Sequence, residues 1–126
     1  MFTGKAQFAY YQSWLVAYVD KSLVNYYYSL IPKYKYAQRQ MYPPHITVVR
    51  LGIEVTNKIK WAQSQAKYNG ATITFTYDGL IHFKSPYYFI KVWSNDIGRI
   101  RMELGLPQYR DSFNCYHISI GNIKEK

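Results

Sequence analysis

Two short stretches, HITV at His45 to Val48 and HISI at His117 to Ile120, alternate a polar side chain with a branched apolar one. A period of two is the signature of a strand with one buried face and one open face. Each stretch therefore commits its apolar members, Ile46 and Val48 or Ile118 and Ile120, to a core. The same alternation turns His45 with Thr47, and His117 with Ser119, onto the opposite face. Any fold for this chain must hold two such half-buried strands.

The remaining elements arrange themselves around these two. Ser13 to Asp20, SWLVAYVD, reads as a buried strand, and Lys21 to Ile31 as an amphipathic helix stopped by Pro32. Lys33 to Pro44 is a basic, aromatic loop that delivers the chain to His45. The strand from Ile46 runs to Ile53, with Gly52 a bulge or bend near its end. Thr56 or Asn57 caps a helix reaching Tyr68, with Ile59, Ala62 and Ala66 on one side and Asn69-Gly70 closing it. Thr72 to Tyr77, Leu80 to Phe83 and Tyr87 to Trp93, joined by turns at Asp78-Gly79 and near Pro86, read as a β-meander. Asn95 or Asp96 caps a helix ended by Gly105 and Pro107, and Tyr116 to Ile120 is the last strand. The order β-α-β-α-βββ-α-β predicts an α+β sandwich with a mixed sheet, folded as a single domain over residues 1–126.

Charge and aromatic content narrow the partners. The chain carries 16 Lys and Arg against 7 Asp and Glu, a net charge of +9, together with 15 tyrosines and three tryptophans. Cations hold phosphates and aromatic planes stack bases, so the combination suits small or single-stranded nucleotides. Cys115 is the only cysteine, which excludes an intramolecular disulfide and fits a reducing compartment. No apolar run approaches the ~20 residues of a membrane span, and the N-terminal segment has no leader pattern. A soluble, cytoplasmic protein with no membrane association is expected.

Two imidazoles paired with two hydroxyls suit phosphodiester cleavage. That chemistry needs a base for the attacking oxygen, an acid for the leaving oxygen and donors for the non-bridging oxygens. Imidazole, with an ordinary pKa of ~6.5, serves as either acid or base near neutrality. HITVVR and YHISIGN resemble the paired H-x-[T/S] motifs of the two-histidine (2H) phosphoesterase superfamily, His117 following His45 by 72 residues (117 minus 45). The strand WLVAYVD, SLIP before the first motif, LGLP before the second and the ending HISIGN are similar to the small bacteriophage members, the anti-CBASS enzymes that destroy cyclic oligonucleotide immune signals. The resemblance implies a two-lobed, pseudo-symmetric fold of mixed or antiparallel sheets with helices packed outside. It implies His45 and His117 as the acid-base pair, their roles unassigned, and Thr47 and Ser119 as phosphate-binding hydroxyls. It also implies a metal-independent hydrolase acting on cyclic oligonucleotides in the cytoplasm of an infected bacterium. Two alternatives stand beside it: hydrolysis of 2′,3′-cyclic phosphates or 2′-5′ linkages of RNA, and a non-catalytic protein that sequesters a nucleotide.

Other chemistries have less support. Three histidines and one cysteine lack ligand spacing, and no phosphate-cradling glycine motif is present, so no metal, cofactor or obligate protein partner is expected. Base-stacking candidates are Tyr10, Tyr11, Trp14, Tyr42 and Tyr109, and phosphate-binding candidates are Arg39, Arg50 and Lys124. Strict alternation from His45 turns Arg50 to the opposite face. His82, followed at +2 by Lys84 and not by a hydroxyl, reads as structural or peripheral.

Overall fold

The alternating strands curl into a closed ring. A computed structural model describes residues 1–11, 14–50, 54, 57–109 and 114–123. In chain order the elements are β1 (Phe2–Tyr11), β2 (Trp14–Val19), α1 (Lys21–Ser29), β3 (Gln38–Arg39), β4 (His45–Arg50), α2 (Lys58–Tyr68), β5 (Thr72–Tyr77), β6 (His82–Lys84), β7 (Tyr87–Trp93), α3 (Asn95–Glu103) and β8 (Tyr116–Asn122). The strands follow the order β3-β8-β4-β2-β1-β5-β7-β6, and β7 also pairs with β8. That last pairing closes a six-stranded antiparallel barrel, β8-β4-β2-β1-β5-β7, with β3 and β6 attached at its margins. The architecture is α+β, and every strand pairing among the described residues is antiparallel, so the expected mixed sheet is corrected.

One apolar core fills the inner face. Ala6 and Phe8 of β1, Leu15 and Ala17 of β2, Ile46 and Val48 of β4, Ile90 and Val92 of β7, and Ile118 and Ile120 of β8 meet there. Val24 and Tyr27 of α1 and Ile97 and Ile100 of α3 join the same cluster. Burying side chains of this size stabilises by roughly 1.5–3 kcal/mol each, which is what holds the strands with their polar alternates facing out.

Several local expectations change. The strand β1 is absent from the sequence reading because its inward positions, Gly4, Ala6, Phe8 and Tyr10, begin with small residues and give a weak alternation. Gly4 is required there, since a Cβ on it would lie 2.5 Å from the Phe75 ring. Helix α2 is capped by Asn57 as expected, but it buries Trp61 and Ser64, whereas Ile59 is 72% exposed. Trp61 carries the largest apolar area on the helix, so it sets which side turns inward, against the edge of the Tyr10 ring at 5.2 Å. Helix α3 is capped by Ser94, whose hydroxyl accepts from the Ile97 N–H and donates to the Thr74 carbonyl. The three segments from Thr72 to Trp93 are not a meander: β7 lies between β5 and β6 and pairs with both. Gly52, expected to bend its strand, lies outside the described residues.

Candidate active site

Strands β4 and β8 are neighbours, and Ile46 lies directly opposite Ile118. Both isoleucines are fully buried, so the residues flanking them face outward. Antiparallel register then sets His45 across from Ser119 and Thr47 across from His117. Cross-strand partners sit about 4.5–5.5 Å apart, so two imidazoles and two hydroxyls share one patch of the barrel wall, each histidine beside the other motif's hydroxyl. His45, Thr47 and Ser119 are half-buried and His117 is exposed.

The adjoining strands extend this patch. On β7, Phe89 pairs with Ser119 and Lys91 with His117; on β2, Tyr18 pairs with His45 and Val16 with Thr47. The Phe89 ring meets His117 edge-on at 5.8 Å, and Tyr18 meets His45 likewise at 6.5 Å. An aromatic ring therefore borders each imidazole, and Lys91 is the cross-strand neighbour of one of them. Sequence reasoning missed Tyr18, Phe89 and Lys91. Their only signal was strand alternation, which gives a face but no cross-strand neighbour.

His45 is held in one tautomer. Its Nδ1 lies 2.8 Å from the Pro43 carbonyl oxygen, which can only accept, so Nδ1 carries the hydrogen. In the neutral ring Nε2 keeps its lone pair, ready to take a proton.

A bulge corrects the placement of Arg50. Leu15 pairs with Val49 and Val16 with Thr47, leaving Val48 as an extra residue in β4. The inserted residue reverses the alternation beyond it, so Arg50 returns to the face of His45 and Thr47. Its partner across the strands is Trp14, whose ring lies 4.6 Å from the guanidinium carbon, and Tyr11 of β1 is opposite Trp14 in turn. Tyr11 and Trp14, expected as base-stacking residues, thus stand on the face that bears the four motif residues.

The other candidates divide. Tyr42 lines a cleft of about 240 Å³ together with Lys21, Asn25, Arg39, Gln40 and Ser119, so this cationic hollow opens beside the second motif's hydroxyl. Tyr10 turns inward, its hydroxyl bonded to Ser64. Tyr109 meets the buried Tyr116 ring at a tilt, 5.2 Å between centroids, and packs against the core, apart from the four motif residues. Lys124 lies outside the described residues. His82 bonds Asp78 at 2.8 Å and stacks on Phe89 at 5.6 Å, at the margin of the patch. Among the described residues no three His, Cys, Asp or Glu side chains converge as a metal site, and no helix is long and apolar enough to cross a membrane.

Burial, followed by the neighbouring Tyr11 hydroxyl, pushes the Tyr18 phenol up from 10.0 to about 12. A raised phenol favours the neutral form in the fold. Its contribution to stability is complete below the unfolded value near 10.0 and is lost as pH climbs towards 12. Burial raises Tyr10, Tyr27 and Tyr116 as well. Unfolding midpoints in urea should accordingly hold steady from neutrality to about pH 10 and then fall, with Tyr18→Phe delaying the loss. Native tyrosinate absorbance that follows a single titration centred near pH 10 for every tyrosine would contradict this.

Comparison with known protein families, with curated proteins and with solved structures gives no match for this chain.

Proposed function

We propose that this chain is a metal-independent phosphodiesterase that cleaves small oligonucleotides by paired histidine acid-base catalysis. The observation that carries the reading is the register of Ile46 with Ile118, which brings two H-x-[T/S] motifs onto one open face. Nε2 of His45, its lone pair kept free by the Pro43 carbonyl, is the better placed base, and His117 in its protonated form is then the acid. In the first step Nε2 takes the proton of a ribose 2′-hydroxyl, whose oxygen attacks phosphorus. The bond from phosphorus to the 5′ oxygen breaks, and His117 gives that oxygen its proton. The products are a 2′,3′-cyclic phosphate and a 5′-hydroxyl. In the second step the roles reverse: water loses a proton to His117, attacks the ring phosphorus and opens it, while His45 returns the first proton to the departing ribose oxygen. Thr47 and Ser119 donate hydrogen bonds to the non-bridging oxygens throughout.

The likeness of the motifs to the 2H phosphoesterases and their small phage members extends the proposal. The barrel's paired strands would correspond to the two lobes of that fold, and the substrate would be a cyclic oligonucleotide immune signal, destroyed in the cytoplasm of an infected bacterium. The net charge of +9 and the aromatic surround of the patch favour such an anionic, base-bearing ligand.

Incubation with a panel of cyclic di- and trinucleotides and of RNA ends, with products resolved by mass, tests this. The expected result is ring opening that persists in EDTA. Turnover confined to RNA 2′,3′-cyclic phosphates would move the protein to a different target with the same chemistry. Uncut ligand recovered from a tight complex would make it a sequestering protein.

A further inference from the structure

We infer that Arg50 and Trp14 form a second subsite, which binds the phosphate and base adjoining the scissile group, so that the preferred ligand carries at least two phosphodiesters. The choice of scissile phosphate rests on the phosphodiesterase reading, whereas the binding of a second phosphate does not.

The subsite is built into the fold. Arg50 reaches the outer face only because Val48 is inserted into β4, and that insertion is fastened from the core side. Arg101 of α3, 1% exposed, donates from Nη1 to the Val48 carbonyl at 2.7 Å. Its guanidinium also pairs with both carboxylate oxygens of Glu54 at 3.2 Å, and one of those oxygens accepts the backbone N–H of Arg50 at 3.0 Å. An ion pair between the buried Arg101 and the half-buried Glu54 thus holds the carbonyl of the bulge residue and the amide of Arg50.

On the outer side the guanidinium lies over the Trp14 ring, an arrangement that fixes its plane while leaving its edge to donate. Arg50 is half-buried, and among the described residues its Nε has no hydrogen-bond partner. The part of the guanidinium open to solvent is left to donate, and a phosphate oxygen is the acceptor whose geometry fits its fork. Arg50 follows Thr47 by three residues, one of them the bulge, which at about 3.3 Å per residue puts it roughly 7–10 Å along the strand. That is the span of one nucleotide from the four motif residues. The exposed part of Trp14, with Tyr11 across from it, offers the base a plane.

The test uses two ligands that lack a 2′-hydroxyl nucleophile: a cyclic di-2′-deoxynucleotide with two phosphodiesters, and a 2′-deoxynucleoside 3′-monophosphate with one phosphate. Binding is read by fluorescence anisotropy of labelled ligands on the whole chain, with urea midpoints for each variant. Arg50→Gln should weaken the cyclic dinucleotide about 10- to 100-fold and leave the mononucleotide within about twofold. The slope of log affinity against log salt should fall by about 0.7 for the former only. Trp14→Leu should weaken the dinucleotide about tenfold, and Arg50→Lys should fall between wild type and Arg50→Gln. Equal weakening of both ligands, or no weakening of either, overturns the subsite. Wild-type protein that binds the dinucleotide through Arg50 yet never cuts its ribose counterpart keeps the subsite and removes the phosphodiesterase. Cleavage indifferent to Arg50→Gln, with unchanged dinucleotide affinity, does the reverse.

Discussion

His45→Ala and His117→Ala should each lower the turnover of a cleaved oligonucleotide by about 10²–10⁴-fold, the usual contribution of a positioned acid or base. Both imidazoles act in one proton circuit, so the double substitution should be little worse than either single one. The two effects separate by pH. With His45 as base, the rising limb of the wild-type profile belongs to His45 and the falling limb to His117, and each alanine variant should lose its own limb. Binding of an uncleavable ligand should change little, because the loss is in the transition state. Thr47→Val and Ser119→Ala remove single donors to the phosphate oxygens and should cost about 10²-fold each, without moving either limb. Initial rates across pH 5–9 check all four variants. A rate in either histidine variant within a factor of about three of wild type would remove paired-histidine catalysis from consideration.

The four residues behind that prediction were legible because their signal is local. A period of two over His45 to Val48 and over His117 to Ile120 fixes which side chains are buried, and neither segment needs a partner to be read. The surroundings were not legible, for reasons that lie between strands. Arg50 sits at odd spacing from His45, and only the pairing of β4 with β2 shows that Val48 is an extra residue. Tyr18, Phe89 and Lys91 reach the patch through register, which no single stretch encodes. The closed barrel depends on β1, whose small inward residues mute its alternation, and on a pairing of β7 with β8 across a long sequence separation. The inner face of α2 was not legible because spacing alone gives the apolar stripe of Ile59, Ala62 and Ala66 as good a claim as that of Trp61. Size decided it.

Arg101 marks the widest gap between sequence and structure, and its removal should have the largest effect on stability. In the sequence it is one basic residue on an amphipathic helix, yet it is among the largest fully buried side chains in the protein. Its donors are matched by the Val48 carbonyl, the Pro107 carbonyl at 2.8 Å and both oxygens of Glu54. Truncation to alanine leaves a half-buried carboxylate without its counter-ion and two carbonyls without donors, along with a cavity. Arg101→Ala should therefore lower unfolding stability by about 3–5 kcal/mol, a large share of the roughly 5–15 kcal/mol typical of a domain. Glu54→Gln, which strands the guanidinium charge, should cost nearly as much. Arg101→Met combined with Glu54→Leu should recover part of the loss, since an apolar pair needs no desolvation of charge. Recovery stays incomplete because the Val48 carbonyl and the Arg50 amide still lose their partners. Urea unfolding of the four proteins decides this, and a loss below about 1 kcal/mol in Arg101→Ala would show that the clamp does not hold the strand. The milder Arg101→Lys keeps the charge but not the fork, so it should stay folded while loosening the bulge. Its affinity for a ligand with two phosphates should then fall while that for a single phosphate holds, because the bulge aims Arg50 and leaves the paired histidines in place.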